Sequence, residues 1–168
     1  MSGSFKERLS FDDETGALFD QSRRYMMIRP DALMGIFKRL PPDQRMAALQ
    51  AFAESIAEQG GDSARAYVAM GGSGPKLLDV IAATAPELGW GIWAFHMDGD
   101  HFGLSVRNSP FAAGFGPSDH PVCAPIVGMF GAVTTIVAGK PMLARETACV
   151  AMGAELCRFE STPRTSTP

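Results

Sequence analysis

The sequence predicts an α+β domain, in which helices packed on an antiparallel sheet come first in the chain and the strands come later. Apolar residues recur with helical spacing between residues 30 and 84, whereas they alternate with strand spacing after Trp90. A chain of 168 residues fits one domain, and 46% hydrophobic residues can fill its core. Runs of helices followed by runs of strands, without a domain-sized linker, are typical of this class.

Polar composition and apolar runs divide the first half of the chain. Residues 1–15 are polar and acidic, so we predict a flexible N-terminus and a single domain over 16–161. Short apolar runs then indicate a strand pair, and the helical pattern follows. The predicted elements are strands in 16–20 and 24–28, helices over 30–40 and 42–59 with a stop at Gly60-Gly61, a third helix after it, and a fourth over 76–84 beyond a glycine-rich break at 71–75.

The second half reads as strands around one apolar helix. Alternation over 90–97 predicts a strand covered on both faces, and Asp98-Gly99-Asp100 predicts a hairpin turn. The loop 109–120 carries two phenylalanines, which suit either a flap over a pocket or packing onto the core. A helix from Cys123 to Gly139, two further strands and a disordered tail over 162–168 complete the prediction.

Charge and cysteine usage exclude several classes of function. The net charge is −3 and the basic residues are scattered, so we expect no nucleic-acid partner. The uncharged run from Pro121 to Gly139 is close to the roughly 20 residues that cross a bilayer. Its proline and glycines make it a poor span, so we predict a buried helix and no membrane partner. Three cysteines without a signal sequence favour a reducing cytoplasm.

The three cysteines and one carboxylate form a candidate metal site. Cys123, Glu146, Cys149 and Cys157 lie at the predicted ends of the helix and of the last two strands, where they can turn toward one point. Three thiolates and one carboxylate would close a tetrahedral zinc shell, and closed shells are structural. The alternative is three ordinary buried thiols, because the sequence has no C-x-x-C pair.

The spacing C-x22-E-x2-C-x7-C, together with Gly89-Trp90-Gly91 and Asn108-Ser109-Pro110, resembles the 4-vinyl reductase domain, a family named after an enzyme of chlorophyll synthesis. The most specific part is the ending Cys-x-x-x-Gly-x-x-x-Cys-x-Phe, here from Cys149 to Phe159. The likeness extends over about residues 16–161 and is weak in the N-terminal half.

This resemblance implies a structural zinc held by Cys123, Glu146, Cys149 and Cys157. It also implies a fold related to the haem nitric-oxide-binding domain and to Golgi transport-particle subunits, a homodimer, and a pocket beside the zinc for a small hydrophobic or aromatic molecule. In phenol-responsive activators of the family, a histidine and a tryptophan hold the ligand hydroxyl. The residues that we expect to line the pocket are Tyr67, Trp90, Trp93, Phe95, His96, Phe102, Phe111 and Phe115.

A second polar cluster, His96-x-Asp98-x-Asp100-His101, is either an acid/base or metal group, or solvated turn chemistry. His96 is the member best placed to point into a pocket. The glycine-rich stretch 71–75 fits neither a nucleophile elbow nor a phosphate loop, and no G-x-G-x-x-G follows a strand.

Three functions remain open from the sequence. We favour a zinc-containing domain that binds or senses a small molecule over a catalyst. The alternatives are a reductase or accessory factor acting on a vinyl tetrapyrrole, and a structural protein-interaction domain with a filled pocket.

Overall fold

Helices and two antiparallel sheets form the part of the chain that the computed structural model describes, residues 4–69 and 74–164. The helices are α1 Phe5–Arg8, α2 Pro30–Arg39, α3 Pro42–Ala69, α4 Gly74–Glu87, α5 Pro110–Phe115 and α6 Ala124–Ala138. The strands are β1 Leu9–Asp12, β2 Ala17–Asp20, β3 Arg23–Tyr25, β4 Ile92–Asp98, β5 His101–Arg107, β6 Met142–Ala148 and β7 Cys157–Pro163. The predicted α+β class is confirmed.

The larger sheet has the strand order β4-β5-β7-β6, and the smaller one is β1-β2-β3. Neighbouring strands are antiparallel in both sheets. The large sheet turns Phe102, Leu104 and Phe159 inward, where they join the core with Phe130 of α6. The predicted hairpin is present, because Asp98 pairs with His101 across a glycine of positive φ.

α6 is the buried helix predicted from the uncharged run, and it lies against α3. At their closest approach a Cβ on Gly128 would lie 2.0 Å from the carbonyl oxygen of Ala53, so only glycine fits there. Among the described residues, no helix is both long and apolar enough to cross a membrane.

The prediction of a helix stop at Gly60-Gly61 is wrong, since α3 continues through both residues to Ala69. A Cβ on Gly60 would lie 2.8 Å from the sulfur of Met129, so this glycine serves helix packing instead of a cap. Glycine is tolerated inside a helix where a neighbouring element comes this close. The break expected at 71–75 falls mainly outside the described residues, and α4 already includes Gly74.

The prediction that the strand after Trp90 is covered on both faces is also wrong. β4 is an edge strand, and its outward residues Ile92 and His96 are exposed while Trp93 is buried. Its hydrophobic composition suggested two covered faces, but in the described part of the chain the packing helices lie on one face of this sheet.

The N-terminal residues are more ordered than predicted. Ser4 forms a capping box with Glu7 at the start of α1, Phe5 is buried, and Arg8 pairs with Asp20 of β2. A single apolar side chain and one ion pair outweigh the polar composition of this segment. At the other end, β7 includes residues 162 and 163 of the predicted tail, and residues 165–168 lie outside the described part.

Candidate metal centre

The four predicted ligands converge from four neighbouring positions of the fold. Cys123 is the N-cap residue of α6, Glu146 lies near the end of β6, Cys149 follows that strand, and Cys157 begins β7. Their ligand atoms all lie within 4.8 Å of one another. The hairpin of β6 and β7 and the start of α6 therefore meet at one cluster of donors.

The distances between the sulfur atoms suit a tetrahedral zinc site. The Sγ of Cys123 lies 4.0 Å from that of Cys149 and 3.7 Å from that of Cys157. Tetrahedral geometry with zinc–sulfur bonds of about 2.3 Å separates two sulfurs by about 3.8 Å. A disulfide needs about 2.05 Å between sulfurs, and all three cysteines are free.

Glu146 has one oxygen in use and one without a partner. Its Oε2 accepts a hydrogen bond of 2.9 Å from the backbone N–H of Cys123, whereas Oε1 is buried and has no hydrogen-bond partner. Burial, together with the negative charge of Cys149, raises the pKa of Glu146 to about 8. A cation between Oε1 and the thiolates would supply the missing partner, so this donor set fits zinc.

The thiols share their charge unequally. The thiols of Cys123 and Cys157 hydrogen-bond to Cys149 and lower the pKa of Cys149, whereas its contacts with the same sulfurs and burial raise the pKa of Cys123. Without a cation the buried cluster therefore concentrates its negative charge on one sulfur. A divalent ion reverses that preference, because metal ligands must be deprotonated.

Two further groups contact the sulfur ligands. The hydroxyl of Ser109 lies 3.3 Å from the Sγ of Cys123, and the N–H of Val150 donates to the Sγ of Cys157 at 3.4 Å. Ser109 is buried and also caps α5 by accepting from the N–H of Ala112. The sequence analysis did not assign this role to Ser109. A serine directly before a proline is a helix-start signal, and it could have placed the hydroxyl at an N-cap.

Most of the predicted pocket residues do come together, as an aromatic cluster. Ring contacts run from Phe52 to Phe111, from Phe111 to Trp90 at 5.0 Å, and onward through Trp93 and Phe95 to Phe130. Phe102 and Phe111 are buried, and Tyr67, Trp90 and Phe95 are partly buried against the same core. We call this set, with Phe37 stacked on Phe52, the aromatic cluster.

Two of the predicted lining residues lie elsewhere. His96 is on the outer, exposed face of the large sheet, where its ring covers the backbone of Gly103. Strand alternation places it opposite Trp93, so it cannot face the same pocket. Phe115 is buried at the end of α5 and borders a groove of about 590 Å³ that Lys38 and Arg45 also line.

The loop 109–120 packs onto the core and does not form a flap, because residues 110–115 are the helix α5. The second polar cluster is exposed, and its Asp100 pairs with Lys140. In the described part of the chain, the only group of three or more potential metal ligands close enough to share an ion is the one at Cys123.

The segment from β5 to β7 contains three of the four ligands and α6 supplies the fourth at its start, and residues 102–163 match the family model of the 4-vinyl reductase domain. The chain carries a 4-vinyl reductase domain. The resemblance seen in the sequence is thereby confirmed. No curated protein matches the sequence.

Three solved structures share the fold. The phenol-responsive sensory domain of the transcription activator PoxR, with phenol, has a TM-score of 0.78 and 22% identity, over 95% of this chain and 86% of that one. A vinyl-4-reductase family protein from Methanocaldococcus jannaschii has a TM-score of 0.50 and 15% identity, over 84% and 98%. A trafficking protein particle complex subunit 3 from Naegleria fowleri, covalently bound to palmitic acid, has a TM-score of 0.55 and 11% identity, over 83% and 97%. The predicted relationship to transport-particle subunits holds for this 4-vinyl reductase domain at the level of fold.

Proposed function

We propose that this 4-vinyl reductase domain binds a small hydrophobic or aromatic molecule and that a structural zinc ion fixes the core beside the binding site. The observation that carries the proposal is the aromatic cluster joined to the Cys3Glu centre through α5. Phe111 lies in that helix and Ser109 caps it while contacting the Sγ of Cys123. A fold similar to that of a phenol-responsive sensory domain supports sensing as the role.

The donor set supports a structural role for zinc. Three thiolates and one carboxylate leave a tetrahedral ion no open position for a substrate. The thiolates are available only in a reducing compartment, so we place the protein in the cytoplasm.

The aromatic cluster supports an apolar ligand of modest size. Tyr67, Trp90 and Phe95 are partly exposed at its border, so a planar ring can enter by moving them and then pack against Trp93 and Phe111. The phenol hydroxyl would need a hydrogen-bonding partner other than His96, which lies on the far side of the sheet. Among the cluster residues the Tyr67 hydroxyl can take that role.

Tryptophan fluorescence tests this proposal directly, because both tryptophans of the protein belong to the aromatic cluster. Titration with phenol and its alkyl and chloro derivatives is expected to change the emission in a saturable manner and to raise the melting temperature. Tyr67→Phe should weaken the binding of phenol more than that of toluene. Neither a saturable signal nor a thermal shift with any of these compounds would leave the domain as an interaction module.

We further propose that the domain forms a homodimer through its N-terminal sheet. Phe11, Met26, Met27 and Ile28 are exposed apolar side chains on or next to β1 and β3, the two edge strands of that sheet. Light scattering should give twice the chain mass of 17.9 kDa. The double variant Met26→Asp, Met27→Asp should give the monomer mass, and a monomeric wild-type protein would refute this part.

A further inference from the structure

A groove between two helices leads toward the metal centre. It holds about 200 Å³ and is lined from α3, from the start of α6 and from β6. We call it the α3–α6 groove. The lining residues are Met46, Leu49, Gln50, Ala53, Pro121, Ala124, Val127, Arg145 and Glu146.

Exposure orders these residues from mouth to floor. Met46 is 51% exposed and Gln50 is exposed, one helical turn apart on α3, whereas Leu49 and Ala53 are buried. The groove is therefore open to solvent between Met46 and Gln50 and closes toward α6.

Glu146 is the metal ligand that this groove reaches. The three cysteines are 0 to 1% exposed and are absent from the groove lining, while Glu146 is partly exposed and forms part of it. A molecule that enters the groove consequently meets the carboxylate before any thiolate.

Glu146 is also the ligand best suited to leave. A carboxylate is a harder donor than a thiolate and holds zinc less strongly, since soft thiolate ligands select this ion. A register irregularity in the pairing of β6 with β7 falls between Glu146 and Ala148, so the ladder is interrupted directly beside the ligand.

We infer that Glu146 is the exchangeable ligand of the centre, and that metal ions and small chelating molecules reach the centre through the α3–α6 groove. In the exchange a metal–oxygen bond to Glu146 breaks as a bond to the incoming donor forms, and no electron is transferred. The thiolates stay in place until the ion leaves. This inference rests on the proposed metal site.

Metal release to the chelator 4-(2-pyridylazo)resorcinol tests the route in the full-length, zinc-loaded protein. Met46→Trp and Gln50→Trp put bulky rings at the mouth of the groove, and each is expected to slow release at least about tenfold. Gln44→Trp is the matched control, because Gln44 is an exposed residue of the same helix outside the groove lining. Its release rate should equal that of the wild type.

The dependence on chelator concentration separates exchange from unfolding. Through the groove, the release rate rises with chelator concentration, and Met46→Ala accelerates it. A rate that saturates at the global unfolding rate and is the same in the wild type and in every variant would overturn the inference and leave the metal site intact. Absence of metal from the purified wild type would instead refute the proposed site itself.

Discussion

At the scale of single residues, Glu146 distinguishes this centre from a group of buried thiols. Three cysteines in a hydrophobic core need no metal to be stable. A buried carboxylate oxygen without a hydrogen-bond partner does need a compensating charge or donor, because leaving it unpaired costs free energy. The centre is therefore best defined by its one oxygen ligand.

Replacement of Glu146 with glutamine tests that definition. The amide keeps the shape of the side chain but carries no charge, so we expect zinc affinity to fall by more than the roughly 10–100-fold that is typical of changes outside the ligand shell. Competition with a chromophoric chelator measures the affinity. Glu160→Gln on β7 is the control, since that carboxylate pairs with Arg145 on the outer face of the sheet. Equal affinities in the two variants would show that Glu146 is not a ligand.

Ser109 offers a second test at this scale. Ser109→Ala removes both the contact with the Cys123 sulfur and the cap of α5, so we expect about 1 kcal/mol less stability and a zinc affinity that is roughly tenfold lower. Ser161→Ala is matched in burial, and its hydroxyl contacts Thr134 instead. Urea unfolding should show a loss in both variants. The affinity should fall only in Ser109→Ala, and an unchanged affinity there would restrict Ser109 to capping.

At the scale of elements, the crossing of α3 and α6 determines where the groove and the metal centre lie. Gly128→Ala would force a Cβ to within 2.0 Å of the carbonyl oxygen of Ala53 and push the helices apart. We expect the free energy of unfolding to fall by about 3 kcal/mol.

Gly131→Ala on the same helix is the control for that crossing. Its Cβ would meet only the Cβ of Ala144, at 3.3 Å, and alanine favours a helix by up to about 1 kcal/mol over glycine. Its net change should therefore be small. Chemical denaturation of both variants decides the matter, and similar losses would contradict a close crossing at Gly128.

Several elements were predictable because their signals are local. Pro30 starts α2, Gly139 ends α6 in the left-handed conformation, and the Asp98–Asp100 turn joins β4 to β5. The spacing of the four ligands also identified the centre before any geometry. These features depend on residues close together in the chain or on a motif of fixed length.

The failures all concern long-range packing. Gly60-Gly61 looked like a helix stop because the neighbouring Met129 is far away in sequence, and β4 looked doubly covered because strand order is not written in its composition. The misplacement of His96 follows from the second error. Ser109 was missed because its partner, Cys123, belongs to another element.

At the scale of the whole molecule, the metal centre and the aromatic cluster share one core. The matched segment 102–163 supplies the ligands and part of the cluster, and the N-terminal helices add Phe37, Phe52 and Tyr67. Zinc would thus hold together the surfaces against which a bound ring packs. Loss of zinc should weaken ligand binding as well as folding, since the binding energy of a structural zinc ion is folding energy.

The metal content of untagged protein, purified without added metal, tests this view most directly when it is measured by elemental analysis together with thermal unfolding. We predict about one zinc ion per chain, and a melting temperature that falls sharply when the ion is removed by a chelator or by Cys149→Ser. A wild-type protein that contains no stoichiometric metal and is as stable before as after chelator treatment would contradict the existence of the zinc centre.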